Sequence, residues 1–464
     1  MAPKGLIAKG HGKNEPRGIK RVARSSLNEG RFGRLFRRLP PAPPLPEKQL
    51  RDLAESMRDP GKGGAKLDNP KIPSAYTYFG QFVDHDITFD PVSSLQRQND
   101  PDALTDFRSP RFDLDSVYGS GPADEPFLYE QPARLKLVLD KKNAKGERDL
   151  QRNPEGVALI GDPRNDENII VSQLQLVFLR FHNKVMGQVA KDKAVPDALK
   201  FEAAQKLVRW HYQWVILEDF LPRIAGPAVV KDRVKRKKGG EVEIDLRWFH
   251  PQKAPFMPVE FSVAAYRYGH SQVRGVYDLN QTVVNVPIFI PGEKVGELED
   301  LRGFRPIPRL WTIDWSFFLD VPGRSKKPQL SRKIDAILSR GLFDLPGFDQ
   351  KESSLAFRNL KRGEALGLPS GQDVANLMGL QPLGGKKLGA PEPTPLWFYI
   401  LKESGLRGGQ QLGPVGGQIV AEVLLGLLKG DKRSFVNAAP KWRPTLGPQK
   451  GKFTLADLVR FATS

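Results

Sequence analysis

The sequence predicts a mainly α-helical protein with long irregular connections and few short strands. Two observations carry this. Residues 169–191 place Leu174, Val177, Phe178, Phe181 and Val185 at helical spacing, and 200–225 place Leu207, Trp210, Trp214, Leu217 and Leu221 on one face. The chain also holds 44 Gly and 40 Pro, which call for long loops between helices. With 464 residues and 39% hydrophobic content there is enough apolar material for a sizeable core, in one large domain or two.

Charge and composition narrow the classes. The net charge is +19, and residues 1–40 hold 11 Lys and Arg against 2 Asp and Glu. That tail and the run KDRVKRKKGGE (231–241) read as a solvated arm and an exposed loop. No nucleic-acid motif or aromatic-interleaved basic stripe accompanies them, so no specific nucleic-acid partner is expected. No apolar run approaches the roughly 20 residues that span a bilayer. The basic N-terminus lacks an apolar signal core, which leans towards the cytoplasm, with leaderless secretion as the alternative. The absence of cysteine rules out disulfides, thiolate metal sites, thiolate-ligated haem and c-type haem attachment. The composition leaves the oligomeric state open.

Taken in order, residues 1–46 form a basic arm ending in LPPAPPLPEK, an extended polyproline-like run. Residues 47–58 suit a short helix. YTYFGQFVDHDITFDP (76–91) suits a helix over 76–87 that carries Gln81, Asp84 and His85. At about 100° per residue, Asp84 lies roughly 60° to one side of Gln81 and His85 roughly 40° to the other, whereas Asp86 falls roughly 140° away on the back. An amide, a carboxylate and an imidazole thus share a narrow face. In 107–121, FRSPRFDLDSVYGSG, closely spaced oxygen donors on an irregular loop suit a hard cation. Arg164 and Glu167 sit in the loop before the 169–191 helix. Helical spacing through 259–272 brings Tyr266, Arg267 and His270 within a turn of one another. His182 and His211, each within a strong helix, read as structural.

GQFVDHDI resembles the distal-histidine motif of the animal-type haem peroxidases, of the peroxidase–cyclooxygenase superfamily. Four further segments follow in that family's order: the SPRFDLDSVYG loop, GDPRNDE with its following helix, RYGH, and LAFRNLKRGEALGLP. The resemblance covers about 70–460 and implies one large catalytic domain over 47–464, binding haem b and Ca²⁺. It implies a peroxidase that reduces hydrogen peroxide and oxidises a small organic donor or a halide, in keeping with a response to oxidative stress.

By the same resemblance His85 is the distal acid–base, Arg164 the distal arginine, and Gln81 a residue orienting water or halide. Asp84 and Glu167 are positioned for ester links to haem. His270 is the proximal iron ligand, 185 residues (270 − 85) after His85. Arg267 meets a propionate, and Asn359 accepts a hydrogen bond from the His270 Nδ1–H. The implied calcium ligands are Asp86, Ser109, Asp113, Asp115 and the carbonyl of Arg111. Three positions depart from the pattern. Asn168 stands where mammalian members carry a Met that bonds haem, so no sulfonium link forms. Asp115 replaces a common Ser, and GEALG replaces GRDHG. Arg267 occupies the place of the radical tyrosine of the lipid-oxidising branches, which favours peroxidase over a fatty-acid dioxygenase. An inactive basic binding protein on the same fold is the remaining alternative.

Overall fold

The structure is a computed structural model. It describes residues 30–61, 63–88, 105–106, 110–133, 135–140, 149–251, 256–291, 298–321 and 327–464. Of the arm, residues 1–29 lie outside the described residues, as does Ser109. The part of the arm that is described packs against the rest of the chain. Its strand Gly30–Gly33 pairs in parallel with Phe256–Pro258, and Leu35 and Phe36 are buried. Pro46, at φ −51° and ψ 137°, delivers the proline run in extended form to helix α1 (Glu47–Glu55).

Helices build the core, as expected. Helix α2 (Ala75–Ile87) is buried along almost its whole length. Helix α3 (Ile169–Val189) begins where the Asn168 side chain accepts from the Val171 amide at 2.9 Å, satisfying one of the free donors of its first turn. Helix α4 (Lys200–Val215) runs on through a π-helical turn, Ile216–Phe220, into Leu221–Ala225. The three helices meet in an aromatic knot. Phe82 of α2 stacks on Phe178 of α3 at 4.3 Å, and Tyr212 of α4 meets both rings edge-on at 6.2 and 5.7 Å. Burying such large rings supplies much of the hydrophobic drive that fixes α2 between its neighbours.

The C-terminal part adds α5 (Leu355–Ala365), α6 (Leu396–Gly405), α7 (Pro414–Gly430) and α8 (Leu455–Thr463). Helix α7 is largely apolar and buried from Val415 to Leu428 apart from Gln418, its one buried charge being Glu422. Helix α8 starts with a capping box between Thr454 and Asp457. The sheets are minor, one of three strands and three of two among the described residues.

Two expectations need correction. The run 231–241 is not simply an exposed loop. It ends the helix Pro227–Arg233 and then forms a hairpin, Val234–Arg236 with Val242–Ile244. Val242 and Ile244 are buried, and Arg233 is buried against Glu422 at 2.8 Å. The charged residues between them hide this alternation in the sequence. The 259–272 segment is helical but not an α-helix. It is π-helical over Glu260–Ala264 and 3-10 over Ala265–Gln272.

Candidate active site

Helix α2 presents Gln81, Asp84 and His85 to one cavity. His85 is 4% exposed. Its Nδ1 lies 2.7 Å from Asn165 Oδ1, and its Nε2 lies 3.6 Å from a Glu167 oxygen, beyond hydrogen-bond range. The Asp162–Glu167 turn approaches from the other side. There the Asp162 carboxylate caps the turn by accepting from the Arg164 amide at 2.9 Å. It also pairs with the Arg164 guanidinium, whose Nη2 donates to the His85 carbonyl at 3.0 Å. Arg164 and His85 are therefore fixed relative to each other.

Glu167 accepts from the Gln81 amide, and Gln81 accepts in turn from Asn168 Nδ2 at 3.1 Å. Burial pushes the Glu167 carboxyl up to about 7, against the pull of the Arg164 charge. Asp84 is also raised by burial, with Arg164 and Arg267 opposing.

His270 lines the same cavity from the 3-10 segment. With three residues per turn, Arg267 and His270 fall on one side, and both reach Asn359 of α5. Arg267 Nη1 donates to Asn359 Oδ1 at 2.7 Å, and Asn359 Nδ2 lies 2.9 Å from His270 Nδ1. The expected Asn359–His270 contact is present, but the amide nitrogen faces the ring. Arg267 can only donate, so it holds the oxygen. A ligating Nε2 would require the proton on Nδ1, and a half-turn of the amide would then bring Oδ1 to it. Burial holds His270 down to about 3, with the Arg267 charge adding to the effect, so the ring is a neutral nitrogen donor.

Gln81, Asp84, His85, Arg164, Glu167, Arg267 and His270 thus share one cavity, and Asn359 stands behind His270. Val273, Ile288, Phe289 and Leu355 give it apolar walls. Tyr266 and Tyr268, on either side of Arg267, line it as well. Of the implied calcium ligands, Asp86 on α2 and Asp113 are buried, Arg111 is half-buried, and Asp115 opens the short helix Asp115–Tyr118. Among the described residues, no group of three or more His, Asp or Glu side chains stands ready to hold a metal ion.

His182 and His211 are structural, as expected. His182 contacts the Tyr118 hydroxyl at 3.0 Å and the Leu135 carbonyl at 2.9 Å. His211 contacts the Leu207 carbonyl at 2.7 Å. Sequence reasoning missed Asp162, Asn165 and Gln175. Gln175 leaves one trace, a polar residue within the apolar run Leu174–Leu179.

Comparisons with known proteins show the family and the fold. A family model described as animal haem peroxidase matches residues 98–384. That range takes in Arg164, Glu167, Arg267, His270 and Asn359, while α2 precedes it. Among curated proteins, the chain is 27% identical over 298 residues to a chorion peroxidase of Drosophila melanogaster, covering 59% of this chain and 34% of that one. It is 24% identical over 330 residues to a thyroid peroxidase of Mus musculus, covering 65% and 33%. The chain therefore spans about a third of the length of these two relatives. Among solved structures, peroxidase A of Dictyostelium discoideum superposes with a TM-score of 0.67 at 16% identity, over 94% of this chain and 93% of that one. A fatty acid α-dioxygenase of Arabidopsis thaliana gives 0.56 at 16%, over 87% and 74%. These last two likenesses show the fold. The family match covers more than half of the 464 residues, and the chain belongs to the animal haem peroxidase family.

Proposed function

We propose that this protein is a haem peroxidase, reducing hydrogen peroxide and oxidising small organic donors or a halide. The observation that carries the reading is that His85 and His270, on separate elements, face one cavity. Haem is the family's cofactor, and the residues present fit it. The cavity offers one imidazole from α2, another from the 3-10 segment, an arginine for a propionate, two half-buried carboxylates and apolar walls.

When bound, haem supplies the redox chemistry that these side chains lack. His270 would hold the iron, Arg267 a propionate, and Asp84 and Glu167 the ester links. His85 Nε2 takes a proton from hydrogen peroxide and returns it to the departing oxygen, a transfer typically worth 10²–10⁴-fold. Arg164 offers fixed donors and charge at the same wall. Gln81, held by Glu167 and Asn168, presents an ordered amide to whatever enters. For the Ca²⁺ reading, the support is the donor type, since Asp86 and Asp113 offer buried carboxylate oxygens of the kind a hard cation takes, with Arg433 3.5 Å from Asp113.

Absorption spectra of the wild type, His85→Ala and His270→Ala test the main reading. The expected result is a Soret band in the wild type, retained haem with turnover lowered at least about 100-fold in His85→Ala, and weakened haem retention in His270→Ala. A wild type with no Soret band after haem is supplied would overturn it. Extraction into acidified organic solvent then reports the ester links, since linked haem stays with the protein.

A second reading, fatty-acid oxygenation, draws on Tyr266 and Tyr268 lining the cavity and on the likeness to an α-dioxygenase. Oxygen uptake with an unsaturated fatty acid would favour it.

A further inference from the structure

Behind the distal histidine lies a buried row of amides. Gln175 Nε2 donates to the Ser116 carbonyl at 3.2 Å. Asn165 Nδ2 donates to Gln175 Oε1 at 2.9 Å. Asn165 Oδ1 then lies 2.7 Å from His85 Nδ1. Ser116, Gln175 and Asn165 are all 0% exposed.

The row has a direction. A backbone carbonyl can only accept, so Gln175 must turn its NH₂ group to Ser116 and its oxygen to Asn165. Asn165 must therefore turn its NH₂ group to Gln175 and its oxygen to His85. An oxygen facing Nδ1 requires the imidazole proton on Nδ1, which leaves the Nε2 lone pair for the cavity. A neutral histidine left to itself favours the opposite tautomer, with the proton on Nε2. That form has no base to offer at the cavity face.

We propose that Asn165 and Gln175 are positioning residues that hold His85 in its base-competent tautomer, with the Ser116 carbonyl as the anchor that sets the direction. The catalytic consequence rests on the peroxidase reading above. The tautomer itself does not.

The test uses the full-length protein with ¹⁵N-labelled histidine, whose tautomers long-range ¹H–¹⁵N spectra distinguish. The His85 signals are assigned by loss in His85→Ala. The expected result is an Nδ1–H His85 in the wild type. Asn165→Leu should lose that signature, and the second-order rate of peroxide reaction of the haem-loaded protein should fall about 10- to 100-fold, part of the general acid–base contribution. Its Soret band should be unchanged. Asn165→Asp keeps the acceptor and should recover the Nδ1–H signal and most of the rate. Gln175→Leu frees the Asn165 amide and should give mixed tautomers, which keeps the proposal testable if Asn165→Leu fails to fold. An Nε2–H His85 in the wild type would overturn the proposal. So would an unchanged tautomer with rates within about twofold of the wild type in Asn165→Leu, or in Gln175→Leu where Asn165→Leu does not fold. If the protein binds no haem, the spectra of the unloaded chain still decide the tautomer, so failure of the peroxidase reading is seen separately.

Discussion

Arg164 and Asp162 form a buried ion pair joined at two points, Nε to Oδ1 at 3.2 Å and Nη2 to Oδ2 at 2.8 Å. Asp162 is 0% exposed and Arg164 7%. Together with the donation to the His85 carbonyl, the pair fastens the end of α2 to the Asp162–Glu167 turn. Removing one partner leaves an uncompensated buried charge, which costs about 3–5 kcal/mol. Arg164→Met should therefore lower the unfolding free energy by that amount in urea titrations. The double variant with Asp162→Leu should recover most of it. Equal stability of Arg164→Met and wild type would show that the pair contributes little.

Glu260 ties the N-terminal arm to the proximal segment. It is 0% exposed and accepts from the Leu35 and Phe36 amides at 2.9 and 3.2 Å. Glu260→Ala strips both donors of their acceptor. At about 1–3 kcal/mol for each unsatisfied group, the loss should reach about 2–4 kcal/mol after partial relaxation. Trypsin should then cut faster at Arg34, Arg37 and Arg38, seen as a ladder of shortened chains. Cleavage at the wild-type rate would mean the arm is held elsewhere, for instance by Arg34 on the Leu366 and Gly367 carbonyls.

Acid sensitivity should follow from two structural histidines. Burial holds His182 and His211 each down to about 4 from an ordinary 6.5. Between those values the unfolded chain binds more protons, so stability rises with pH. The contribution is complete above pH 6.5 and lost as pH falls towards 4, on the order of 3 kcal/mol for each ring. Melting temperatures recorded across that window should drop steeply for the wild type and less steeply for His211→Gln. Parallel profiles would remove His211 from the account.

Calcium offers a check that needs no haem. If Asp86 and Asp113 help to hold the ion, Ca²⁺ at 100 times its dissociation constant stabilises the fold by about 2.7 kcal/mol. The melting temperature of the wild type should rise with added Ca²⁺ and fall with a chelator, while Asp86→Asn should respond to neither. The same response in both proteins would point away from Asp86.

Much of the site was legible because it is local. The spacing of Gln81, Asp84 and His85 on a helix decides which groups share a face, and the three indeed share one cavity. The contacts that control them are not local. His85 and Asn165 are 80 residues apart, and only packing of α2 beside the Asp162–Glu167 turn brings them together. Gln175 reads as a defect in an apolar run until its two partners are seen. At the proximal segment the spacing was read as α-helical. The 3-10 geometry instead stacks Arg267 directly over His270, which is why Arg267 competes for Asn359. The hairpin at 234–244 was obscured because its buried residues alternate with lysines and glutamates.

The Glu260 tether also bears on synthesis. Leu35 emerges 225 residues before the carboxylate that receives its amide. At 5–20 residues per second it waits about 10–45 s for that partner. Until then Leu35 and Phe36 lack the cover of the segment that follows Phe256, while the proline run 39–46 beside them stays extended. Leu35 and Phe36 are thus seated only once the Glu260 turn has been made, so this edge of the fold is closed by a contact between segments synthesised far apart.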